Sequence, residues 1–177
     1  AGLELATPVR IRRHGDGDRA LSHVVLTVGD RAHATVLFEQ TGDTASSEVL
    51  SVIVGAGASL TLVTVQEWDD TAIHLGEHDL VVGRDATARH IAVTLGGKLV
   101  RLNTNVTYAG PGGTFEGYGL YFADAGQHLE HRLFVDHDAP HCTSHVEYKG
   151  ALQGASARSV WVGDVLIRAQ AEGTQTY

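Results

Sequence analysis

Residues 60–68 read LTLVTVQEW. β-Branched and aromatic side chains dominate this stretch, and apolar character changes side at nearly every step. A period of two belongs to a β-strand with one face in a core. Similar runs occur at residues 23–28, 34–40, 49–54, 89–95, 99–108, 118–123, 129–135, 144–148, 159–162 and 165–169. Turn signals separate them: Gly29-Asp30, Gly42-Asp43, Gly55-Ala56-Gly57, Gly83-Arg84-Asp85, Gly96-Gly97, Pro111-Gly112-Gly113, Ala125-Gly126 and Gly154. No window carries a helical stripe. The nearest, residues 69–78, has aspartates of capping type but too few apolar positions at helical spacing. The sequence therefore predicts an all-β chain with strands every ~8–12 residues. Inward positions rich in Ala, Val and Thr suit narrow stacked coils, so a solenoid is preferred to a sandwich.

A length of 177 residues is that of a single domain able to bury a core. The formal net charge of -8 argues against a general nucleic-acid partner, which needs clustered cations. The nearest basic cluster is Arg10, Arg12 and Arg13. No apolar run approaches the ~20 residues of a membrane-spanning helix, and no signal-peptide pattern opens the chain. One cysteine permits no internal disulfide, which points to a reducing, cytoplasmic setting. The chain contains no methionine, so it reads as a processed protein or a piece of a longer one.

The segment HLEHRLFVDHDAPHCTSHVEYKG, residues 128–150, holds five of the eleven histidines and the only cysteine. A metal centre needs three or four side chains converging on one point. His128 and His131 face opposite sides of a strand, and Cys142 faces away from His141 and His145. Pro140 and the β-branched flanks oppose a helix that would align His137, His141 and His145. His137, His141 and Cys142 are the candidate metal ligands, and the reading they would support is a β-helical or cupin-like metal-dependent enzyme using histidines within 128–145. The expectation is instead that these histidines are solvent-facing or hydrogen-bonded strand residues. Cys142 beside His141 lacks an oxyanion donor motif and reads as a small buried hydrophobe. The pairs Asp69/Asp70 and Asp136/Asp138 read as turn formers. Gly110-Pro111-Gly112-Gly113 lacks the Lys-Ser/Thr of a phosphate loop. No self-contained catalytic site is expected.

From about residue 93 a family pattern emerges. The run Leu95–Asn103 contains Arg101 and Asn103 in a strand that resembles the G-x-x-x-R-x-N strand of the SufB/SufD proteins of iron–sulfur cluster assembly. His128-Leu129-Glu130-His131, Asp136-His137, Cys142-Thr143-Ser144, Tyr148-Lys149-Gly150, the run Ala157–Gly163 and the run Ala169–Thr174 follow in family order. The motif residues are thus Arg101, Asn103, Asp136, His137, Lys149, Gly150 and Gly163. The chain looks more like SufD than SufB, and its first 90 residues match only in general character.

The resemblance implies a right-handed parallel β-helix as a single-domain solenoid over residues 1–177, with the family's flanking helical segments absent. It implies a non-catalytic scaffold subunit that associates with a SufB-like subunit and a SufC-like ATPase. No cofactor would bind this chain alone, and the iron–sulfur cluster would be assembled transiently in the full complex. Exposed coil edges lead to the expectation of a homodimer for the isolated core.

Overall fold

The computed structural model describes residues 2–177. Every regular element among the described residues is a strand: β1 (Val9–Val28), β2 (His33–Val54), β3 (Ser59–Trp68), β4 (Ile73–Val82), β5 (Thr87–Thr94), β6 (Leu99–Tyr108), β7 (Thr114–Ala123), β8 (His128–His137), β9 (Thr143–Leu152), β10 (Arg158–Ile167) and β11 (Gln175–Thr176). All pairings are parallel. The first half of β2 pairs with β3 and its second half with β4, and from there the ladders separate. One runs β3-β5-β7-β9-β11 and the other β4-β6-β8-β10. The chain is thus a β-solenoid of about six coils, each with one strand in a first sheet and one in a second.

Successive coils place equivalent residues directly above one another. His33 stacks on Ser59, Thr87, Thr114 and Thr143 in turn, steps of 26, 28, 27 and 29 residues. Along each strand, alternate side chains turn inward, as the pleat requires. Leu60, Leu62, Val52, Leu80, Val100, Leu102, Phe115 and Leu129 are buried this way. The stretch 60–68 therefore reads as expected: Leu60, Leu62, Thr64, Gln66 and Trp68 are the buried set.

One corner repeats at every coil. Arg31, Gly57, Asp85, Gly112, His141 and Gly173 hold it with positive φ. Ala32, Ala58 and Ala86 donate their N–H groups to the carbonyls of Gly29, Gly55 and Gly83, closing four-residue turns whose third residue is left-handed. His141 is therefore a corner residue (φ 59°). The residue after each corner forms a rung of small side chains, Ala32, Ala58, Ala86, Gly113 and Cys142. Their carbonyls accept from the N–H groups of Ser59, Thr87, Thr114, Thr143 and Gln175. Cys142 is fully buried because it stands on this rung.

Three sequence-based expectations need correction. Residues 73–78 belong to strand β4, whose alternation was hidden by histidines and a glycine at inward positions. Gly42-Asp43 does not end a strand: β2 runs through it, with Gly42 at φ 92° bending the chain from the first sheet into the second. Asp136 lies within strand β8 and not in a turn.

Candidate functional site

The motif residues fall on different surfaces of the solenoid. Arg101 and Asn103 point outward from β6, because Val100, Leu102 and Thr104 take the inward positions. Arg101 Nε lies 3.5 Å from Glu130 Oε1 on the neighbouring β8. Asn103 donates to Glu77 Oε2 at 2.9 Å, and Asn105 donates to Asp79 Oδ1 at 2.9 Å. Arg132 donates to Glu130, and His128 Nε2 lies 3.3 Å from its other oxygen. Burial pushes the Glu130 carboxyl up, but Arg132, His128 and Arg101 together hold it below the ordinary range. The second sheet thus carries a polar outer network across β4, β6 and β8.

Asp136 also faces outward and accepts both arms of Arg168, at 2.8 and 2.6 Å. That bidentate pairing is chiefly what lowers its carboxyl below the usual range. His137 turns inward, stacks on Tyr108 at 4.7 Å and meets Ser144 Oγ at 3.0 Å. Lys149 is exposed on the first sheet, 2.7 Å from Glu147. Gly150 and Gly163 are explained by aromatic rings: Tyr121 covers Gly150 from the coil below, and Trp161 lies over Gly163.

The histidines of residues 128–150 do not meet. His131 is inward between Tyr121 and Tyr148, at centroid distances of 5.3 and 5.7 Å. His137 is buried in another rung, and His141 stands at a corner. The expectation that this set would be solvent-facing or hydrogen-bonded strand residues therefore needs amending, since His131 is buried and its Nε2 has no hydrogen-bond partner. Cys142 Sγ lies 3.6 Å from the Gly110 and Pro140 carbonyls, and burial pushes its thiol above the ordinary range. His137, His141 and Cys142 are not brought to one point.

Sequence reasoning missed the polar interior. Glu48, His74, His78, His90 and His131 are all buried, as are Gln40, Gln66 and Thr94. Glu48 is held by Arg13 and by Gln40 Nε2 at 2.9 Å. Burial pushes the Glu48 carboxyl up, yet His78, His74 and Arg13 bring it below its usual value. Burial lowers the imidazoles of His74 and His131 to about 4 and that of His90 well below its normal value, so these three are neutral at pH 7. The available signal was parity: His74 and His78 share the inward phase of Leu80 and Val82.

These features define a two-sheeted β-solenoid whose motif residues spread over the inward and outward faces of four strands and do not line one cleft. The chain matches the SufBD core domain of the SUF system of FeS cluster assembly over residues 11–177. It is 45% identical over 183 residues to an iron-sulfur cluster assembly SufBD family protein of Mycobacterium leprae, covering 99% of this chain and 47% of the relative. A SufBD family protein of Mycobacterium tuberculosis is 44% identical over 182 residues, covering 98% of this chain and 46% of the relative. The chain belongs to the SufBD family of iron–sulfur cluster assembly proteins, and it spans about half the length of the curated relatives it matches.

Proposed function

We propose that this chain is the β-solenoid core of a SufD-type scaffold subunit, non-catalytic and acting in the cytoplasm. It works by association with a SufB-like subunit and a SufC-like ATPase. The iron–sulfur cluster is cargo of the complex and not a resident cofactor of this chain. The family match over residues 11–177 carries the reading.

The isolated core is expected to form a homodimer.

Co-expression of the complete protein containing this chain with SufB-like and SufC-like subunits tests the reading. Co-purification of all three is the expected result. Recovery of this subunit alone, under conditions where the other two assemble, overturns it.

A further inference from the structure

We propose that Glu48, His74 and His78 form a binding site for a divalent transition-metal ion inside the solenoid, independent of the association just described. The register builds it. Glu48 on β2 is paired with Gly76 on β4, and His74 and His78 lie two residues before and after that glycine. All three side chains share the inward phase and are fully buried. A Cβ on Gly76 would stand 3.0 Å from His74 Nε2, 3.6 Å from His78 Nε2 and 2.6 Å from Leu102 Cδ2. A side chain there would press on Leu102 and on His74, so the glycine is what lets these groups close over the strand.

Two of the three donors, Glu48 and His74, are already held on their far sides. Arg13 and Gln40 hold Glu48 Oε2, leaving Oε1 buried and unpartnered. Ser46 Oγ lies 2.6 Å from His74 Nδ1, and in the tautomer whose Nδ1–H donates to that hydroxyl, Nε2 presents its lone pair. His74 Nε2 and both nitrogens of His78 have no hydrogen-bond partner. Buried polar atoms are almost always paired, and four orphans on these three side chains point to a ligand that pairs them. Two imidazoles and one carboxylate are a donor set for divalent iron, cobalt or zinc, with coordination positions to spare.

The donors stand wider apart than bound ligands do. Glu48 Oε1 is 3.8 Å from His78 Nε2, and no trio of His, Cys, Asp or Glu among the described residues is drawn to coordinating separation. Binding therefore requires the two imidazoles to rotate toward Glu48 Oε1. Arg13 is the competing cation, so its removal strengthens the site.

The test is titration of the chelator-treated protein with Co²⁺ and Zn²⁺, read by cobalt absorption bands and by calorimetry. One equivalent is expected to bind, with affinity at least tenfold weaker in H74A, H78A and E48Q. G76A sets a methyl group against His74 Nε2 with all three donors retained and also weakens binding at least tenfold, whereas R13Q tightens it. H128A and H131F, outside the set, leave binding unchanged. Circular dichroism identifies any variant that does not fold, and G76A and R13Q then carry the decision. Absence of binding, or binding unaltered in H74A and G76A, overturns the proposal.

Discussion

Tyr121 lies with its ring across Gly150 on the coil above, so close that a Cβ at Gly150 would fall within the ring. Tyr148 covers Gly119 in the opposite direction, from β9 down onto β7. Gly119 and Gly150 are therefore packing positions. Gly150→Ala forces the tyrosine out of place and is expected to destabilise by about 1–3 kcal/mol, the usual cost of overpacking. Urea denaturation measures it, and an unchanged midpoint contradicts the packing role.

Cys142 occupies the rung held by Ala58 and Ala86 in lower coils. Cys142→Ala is expected to cost less than about 1.5 kcal/mol, because an alanine already suits this position. The native thiol should resist a thiol-specific dye until the protein is unfolded. Rapid native labelling would show that the rung is open.

Arg13 neutralises a carboxylate that has no access to solvent. Arg13→Leu leaves Glu48 buried without its charge partner, at an expected cost of roughly 3–5 kcal/mol. The double variant Arg13→Leu/Glu48→Leu should recover most of that loss. Equal instability of the single and double variants would mean that shape and not charge decides the site.

Acid should weaken the fold well before most carboxylates titrate. Free histidine takes up its proton near 6.5, whereas His74 and His131 in the fold wait until about 4. Above about pH 6.5 neither state is protonated and this stability is fully present. As pH falls from 6.5 toward 4 the unfolded chain binds protons that the fold refuses, costing roughly 3 kcal/mol per histidine by the lower limit. Glu48 and Asp136, both lowered, add losses in the same direction at still lower pH. The urea midpoint should drop between pH 7 and 5, and H131F should flatten that slope. A profile flat from pH 7 to 5 in the parent protein counts against neutral buried histidines.

The all-β class was legible because outward and inward residues differ so consistently at positions such as Leu60 to Trp68. Corners were legible where a left-handed residue selects glycine, at Gly57 and Gly112, although Arg31, Asp85 and His141 hold the same conformation without that mark. The coil repeat was not legible, since one inward rung reads Ala34, Leu60, Ala88, Phe115 and Ser144. Strand β4 was lost for a related reason: His74, Gly76 and His78 stand where apolar residues would have announced it. The polar interior depends on Glu48 facing Gly76 across 28 positions, a register that only the stacked coils reveal. The motif residues from Arg101 to Gly163 announced the family, but their dispersal over two sheets could not be read from their order.

The stacking of Ser59, Thr87, Thr114 and Thr143 has a consequence for synthesis. Each coil needs only the coil before it as a template, and that template lies fewer than thirty residues upstream along this row. A chain leaving the ribosome can therefore settle vectorially, each new coil docking as it clears the exit while the next is still being made. Order of emergence becomes order of assembly, and the edge left waiting at any moment is always the youngest one.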